Sequence, residues 1–201
     1  IIDEKGGSAA IIAADISKEK QCIKVVDKTI KEFKKLDIIV NNAAVQYPQE
    51  SITDITAKQL EKTFATNIFS HFYITKAGLK YLKKGSSIIC TTSVTSYRGS
   101  PELLDYASTK GAIVGFVRSL AGSLVKKNIR VNGVAPGPIW TPLIPASFDA
   151  RHVSEFGSEV PMKRAGQPNE VAPAYVFLAS EDASYITGQI IHVNGGEVVN
   201  G

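Results

Sequence analysis

The stretch "LDIIVNNAA", residues 36–44, decides the fold. Its opening, residues 36–40, is a short apolar run of the kind that makes a parallel strand buried on both faces. Two amides and two alanines follow at once. Small residues there would let a flat ligand approach the backbone closely; the plainer reading is an Asn-rich turn.

Working outward, the same alternation repeats. Upstream, "SAAIIAAD" (8–15) reads as a second buried strand, and Ile23, Val26, Ile30 and Phe33 recur at helical spacing with Ser17 placed as a cap. Downstream, "TAKQ" carries the threonine and glutamine of a capping box and predicts a helix from Thr56 to about Lys83. "SSIICTT" is a strand, 105–126 a helix, "IRVNGVA" a strand, "NEVAPAYVFLAS" a helix and "QIIHV" a last strand. Repeated alternation predicts one domain over 1–201, a parallel sheet covered by helices. In such sheets ligands sit at the carboxyl ends of strands.

Composition narrows the function. The chain is 44% hydrophobic and 21% charged, ordinary for a soluble domain. Its net charge of +4 is spread over segments such as "SKEKQCIKVVDKTIKEFKK", where lysines alternate with acids. These are solvated helix faces, so no nucleic-acid partner is expected, while phosphate-bearing small ligands stay compatible. Cys22 and Cys90 show neither metal-ligand spacing nor a disulfide framework, which fits a reducing cytoplasm and no metal. No run of 18 apolar residues occurs and the first residues lack a signal peptide's regions, so no membrane partner is expected. His71, His152 and His192 form no H-E-x-x-H and no serine sits in G-x-S-x-G, leaving the histidines structural or on the surface.

The strand ends then draw attention. Asn42, Ala43 and Ala44 follow one, Ser93 another, and "PGPIWTPL", with its Thr141 hydroxyl, a third. Each alone is a turn or a loop. Asn67 stands among bulky apolar neighbours in "TFATNIFSHFYI" and is open to two readings, a core amide bonded to backbone or a chemical residue. Tyr106 and Lys110 in "DYASTKGA" lie at i and i+4, sharing a helix face with Cβ atoms ~5 to 6 Å apart. A close ammonium would lower the phenol's pKa by at most ~3 units, bringing proton exchange near neutral pH. The spacing alone is weak, since about 0.6 such pairs are expected by chance.

Taken together, "NNAA", Asn67, Ser93 placed 13 residues before the tyrosine of "YASTK", and "VNGVAPGPIWT" resemble the short-chain dehydrogenase/reductase family over essentially all 201 residues. "LLDYASTKGAIVGFVRSL", "VPMKRAGQPNEVAPAYVFLAS" and "YITGQIIHVNGGEVVNG" resemble its branch of bacterial general stress oxidoreductases and plant glucose and ribitol dehydrogenase homologues. The resemblance implies a Rossmann-type, doubly wound parallel sheet that binds NAD or NADP and moves hydride to or from a carbonyl or alcohol carbon. It implies Tyr106 as acid/base, Ser93 as partner of the reacting oxygen, Lys110 lowering the phenol's pKa and binding the nicotinamide ribose, and Asn67 holding a relay water. Asp15 and Ile16 would meet the adenine, Asn42, Ala43 and Ala44 the adenosine pocket, and Pro136, Gly137, Ile139 and Thr141 the nicotinamide end. Residues 142–166 correspond to a substrate lid. Gly111 and Gly115 leave a low-relief helix face, and the family commonly pairs that helix in a homo-oligomer, a dimer or tetramer.

The family's opening strand, glycine-rich turn and helix have no counterpart here. The glycine turn normally holds the pyrophosphate and the second strand's end selects NAD or NADP. In the strand order 3-2-1-4-5-6 a gap therefore separates "SAAIIAAD" from "LDIIV". The expectation is a shortened representation of a longer enzyme. The competing readings are a catalytically silent fragment acting through subunit association, and an epimerase or dehydratase of the wider family.

Overall fold

The computed structural model describes residues 2–199. Four parallel strands run β1 (Ile38–Asn41), β2 (Ser87–Thr91), β3 (Arg130–Pro136) and β4 (Ile190–Val193), side by side in that order. Val40 lies opposite Ile89, Ile89 opposite Asn132, and Val134 opposite Ile191. Eight α-helices accompany them among the described residues: α1 (Glu19–Phe33), α2 (Ala57–Phe64), α3 (Ser70–Gly78), α4 (Thr95–Arg98), α5 (Leu104–Leu124), α6 (Leu143–Ser147), α7 (Ala150–Glu155) and α8 (Pro168–Ala179).

The period of two along a strand divides the core. Ile39, Ile88, Cys90 and Val131 pack with Ile113 and Val117 of α5 on one face of the sheet. Ile89 and Val134 pack with Val171 and Leu178 of α8 on the other. Helices thus cover both faces, as the alternation predicts. Cys90 is wholly enclosed and burial pushes its thiol up to about 12, so it is a core residue without redox character.

Several local expectations are corrected. Residues 8–15 pair with no strand, and Ile11 is 98% exposed. The segment has no neighbouring strand to supply a ladder. Burial on both faces holds for β2 but not for β1, where Ile38 and Val40 are exposed while Ile39 and Asn41 are buried. Ile38 and Val40 share the sheet face that α8 covers over Ile89 and Val134, and at β1 that face is left open to solvent.

Ser17 does not cap α1. Lys18 holds that position without a side-chain bond, while the Ser17 N–H donates to Asp15 Oδ1 at 3.0 Å, a local turn that competes with capping. Thr56 does cap α2, accepting from the Gln59 N–H at 3.1 Å. The reciprocal half of the box is absent because the Gln59 side chain is spent elsewhere, on Gln49, Tyr47 and Asp105. The helix predicted to reach Lys83 passes through a π-helical turn, Ala65–Phe69, in which the Ser70 N–H returns to Ala65 C=O, and it ends at Gly78. A Cβ on Gly78 would lie 2.7 Å from Ile39 Cδ1, so glycine is what lets α3 press against β1.

Candidate active site

The first turn of α5 is fastened at both ends of one residue. The Tyr106 N–H donates to Asp105 Oδ1 at 2.8 Å, and the Tyr106 C=O accepts from Thr109 Oγ1 at 2.7 Å. Asp105, itself buried, also accepts from Thr63 Oγ1 at 2.7 Å and Gln59 Nε2 at 3.1 Å. One turn on, the Lys110 C=O accepts from Thr92 Oγ1 and the Lys110 ammonium donates to the Thr91 C=O, both at 2.8 Å. These bonds lock the helix onto the carboxyl end of β2.

Asn67 sits in the π-helical turn, wholly buried. Its Oδ1 accepts from the Val45 N–H and its Nδ2 donates to the Val45 C=O, each at 2.9 Å. The second Nδ2 proton goes to Thr109 Oγ1 at 3.1 Å. Both amide protons are therefore used by protein partners. Its position still joins the loop after β1 to the helix that carries Tyr106.

Ser93 is buried just beyond β2, and its Oγ accepts from the Thr95 N–H at 3.2 Å. Tyr106 and Lys110 share the predicted face, with Nζ 5.4 Å from the phenol ring centroid. Their electrostatics differ from the spacing-based expectation. Burial pushes the Tyr106 phenol up to about 12, partly offset by hydrogen bonding with Ser93. Burial also brings Lys110 down to about 8. The spacing argument assumed a charged ammonium beside a solvated phenol; here Lys110 is buried and Tyr106 half-buried, and burial disfavours both ions.

On the ligand side, Asn42 and Ala43 are exposed and Ala44 half-buried at the end of β1. Asn42 Oδ1 accepts from Thr91 Oγ1 at 2.8 Å, and that hydroxyl also pairs with Tyr175 at 2.7 Å. The Ser93 segment is tied to the next strand end through the Val94 N–H and Pro136 C=O at 3.1 Å. Gly137 passes so close to Asn194 that a Cβ would lie 2.7 Å from its Cα. Ile139 forms a parallel bridge with Gly166, closing residues 142–166 into a loop that contains α6 and α7; Thr141, half-buried, opens it. Asp15 stands apart and exposed, its carboxyl held below the usual range by Ser17, and Ile16 accepts from Cys22 Sγ at 3.1 Å. No bond links those two to Asn67, Ser93, Tyr106 or Lys110.

A nicotinamide dinucleotide fits what is present. Lys110 is almost wholly buried, and its three N–H donors have one protein acceptor, Thr91 C=O, leaving two for sugar hydroxyls. Sequence reasoning missed Asp105, Thr109, Gln59 and Thr63. The first two stand inside "DYASTK", where an acid in a helix's first turn was the available signal; Gln59 and Thr63 are 42 or more residues upstream and gave none.

Over residues 2–197 the chain matches the family described as enoyl-(acyl carrier protein) reductase. It is 60% identical over 200 residues to the Bacillus subtilis protein "Uncharacterized oxidoreductase YhxC", covering 100% of this chain and 70% of that one. It is 57% identical over 190 residues to "Glucose and ribitol dehydrogenase" of Daucus carota, covering 94% of this chain and 65% of that one. The chain thus spans about two thirds of the curated relatives it matches. A crystal structure of a short chain dehydrogenase from Burkholderia cenocepacia J2315 in complex with NADP superposes with a TM-score of 0.89 at 28% identity, covering 96% of this chain and 78% of the other. With a parallel sheet wrapped on both faces and these matches along nearly its whole length, the chain belongs to the short-chain dehydrogenase/reductase family.

Proposed function

We propose that the chain forms the catalytic part of an NAD(P)-dependent oxidoreductase that interconverts a carbonyl and an alcohol. The observation that carries this reading is the grouping of Ser93, Tyr106 and Lys110 at the end of β2, with Tyr106 held by side-chain bonds to both of its backbone polar groups. Pre-set geometry of this kind is what proton transfer to a reacting oxygen requires. The NADP bound in the Burkholderia protein supports the cofactor class.

When bound, the nicotinamide supplies or accepts hydride. Tyr106 holds the proton that passes to the carbonyl oxygen on reduction and takes it back on oxidation. With its phenol pushed up to about 12, it stands at neutral pH in the form that donates. Ser93 orients the reacting oxygen. Lys110 binds ribose hydroxyls with its spare N–H donors and favours loss of the phenol proton by its charge. Asn42, Ala43 and Ala44 line the adenosine side with Asp15 and Ile16, Pro136, Gly137, Ile139 and Thr141 the nicotinamide side, and 142–166 covers the substrate.

The same reading includes self-association through α5. Nothing lies within 4 Å of a Cβ built on Gly111 or Gly115, and the exposed Phe72 packs against Phe116 of the same helix, ring centroids 4.7 Å apart.

The test is titration of the full-length polypeptide with NADH and NADPH, followed by turnover assays on aldehydes and polyols. Tyr106→Phe is expected to abolish turnover and preserve cofactor binding. Near-normal turnover by that variant overturns the assignment.

A further inference from the structure

Thr91 ends β2, and bonds from three directions meet on it. Its C=O accepts from the Lys110 ammonium of α5, which covers one face of the sheet. Its hydroxyl donates to Asn42 Oδ1 at 2.8 Å; Asn42 follows the end of β1 and comes alongside because Asn41 lies opposite Cys90. The same hydroxyl meets the Tyr175 hydroxyl at 2.7 Å. Tyr175 belongs to α8 on the other face, where its ring packs on the cluster of Ile89, Val134 and Leu178.

Counting protons fixes the direction of this chain. A threonine hydroxyl has one proton and that proton goes to Asn42, so Tyr175 is the donor to Thr91 Oγ1. In the reverse order, Asn42 to Thr91 to Tyr175, the Tyr175 proton would meet no acceptor in the cluster. Burial raises the Tyr175 phenol above its ordinary value, so it keeps the proton the chain uses. A carboxamide has an acceptor end and a donor end. With its oxygen turned onto Thr91, exposed Asn42 is left with its NH2 group, which donates to no protein group among the described residues.

We propose that Thr91 and Tyr175 are positioning residues for the cofactor: Tyr175, acting through the Thr91 hydroxyl, holds the Asn42 carboxamide with its NH2 group turned toward the dinucleotide, where it donates to an oxygen or ring nitrogen. This rests on the oxidoreductase reading above, with Asn42 on the adenosine side. Because the Thr91 C=O also holds Lys110, one residue places a group on the adenosine side and another on the nicotinamide side. Without the hydroxyl chain the carboxamide turns to present either end, and the donor is no longer fixed before binding.

The test is fluorescence titration of the full-length protein with NADPH and NADH, at a temperature where melting curves show every variant folded. Thr91→Val keeps the strand and the C=O that holds Lys110 and removes both hydroxyl bonds; its Kd is expected to rise about 10-fold. Thr91→Ser keeps the hydroxyl and is expected to bind within about 2-fold of the wild type. Tyr175→Phe is expected to raise Kd about 3-fold, and to add nothing once Asn42→Ala has removed the carboxamide. A phenol that acted only by packing would weaken binding equally in both backgrounds, and that result overturns its part. Wild-type affinity in Thr91→Val, Tyr175→Phe or Asn42→Ala, or a Thr91→Ser as weak as Thr91→Val, overturns the chain while leaving the oxidoreductase reading standing. A wild type that binds neither nucleotide removes the oxidoreductase reading and this inference with it.

Discussion

Asn67 closes its carboxamide over both backbone polar groups of Val45, at 2.9 Å each, much as a strand residue would. The loop leaving β1 is thereby paired to a helix. Asn67→Asp keeps the shape but removes both donated bonds and sets a carboxylate oxygen against the Val45 C=O. We expect a loss of about 2–4 kcal/mol in urea unfolding. A loss below about 1 kcal/mol would show that the loop holds without the amide.

His71 is buried, and burial, aided by the Lys110 charge, brings its imidazole down to about 3 from an ordinary 6.5. Between those values the unfolded chain binds a proton that the folded chain does not. Stability should therefore fall as pH drops through 6.5, by about 3 kcal/mol at pH 4.5 relative to pH 7. His71→Leu should lack this component, and parallel urea midpoints for the two proteins would reveal it.

Lys110 gives the same sign in a different window. Its folded value of about 8 lies below its ordinary 10.5, so between the two the unfolded chain again binds more protons. Stability of the ligand-free protein relative to Lys110→Met should improve by on the order of 2–3 kcal/mol from pH 7.5 to pH 10. A flat difference across that range would mean that the ammonium is hydrated in solution.

Gly157 has φ of +88°, and a Cβ there would lie 2.2 Å from the Ala165 N. Gly157→Ala should strain the 142–166 segment by about 1–3 kcal/mol and quicken its cleavage in limited proteolysis. Gly122→Ala, on α5 with nothing within 4 Å, should instead raise stability by about 0.5–1 kcal/mol.

For self-association through α5, Gly115→Arg adds a long charged side chain into the open space over the helix. The expected result is a shift to monomer in sedimentation with the circular dichroism unchanged. An unchanged sedimentation profile would remove α5 from the interface.

Much of this was legible before any coordinates because it is local or periodic. The strands at 38–41, 87–91, 130–136 and 190–193 followed from apolar runs, and the Thr56 cap from its side chain. What escaped depends on distant partners. Gln59 has the right spacing for a capping box, yet Asp105, 46 residues away, captures its amide. Residues 8–15 have strand composition, but a strand exists only where a neighbour completes its ladder. The Tyr106–Lys110 pair was visible in position, while the burial that bears on both groups is set by the packed fold.

The π-helical turn at Ala65–Phe69 changes how insertions and deletions in this chain should be weighed. It holds one residue more than an α-helical turn, and removing that residue would restore an uninterrupted helix of nearly the same composition. Because a π turn takes up its extra residue within one turn, the residues downstream would keep nearly the same phase about the axis, and the change would fall on Asn67 and its bonds to Val45. A single-residue gap aligned here bears on the loop that Asn67 holds, and one placed between 157 and 165 on the close approach of Gly157 to Ala165.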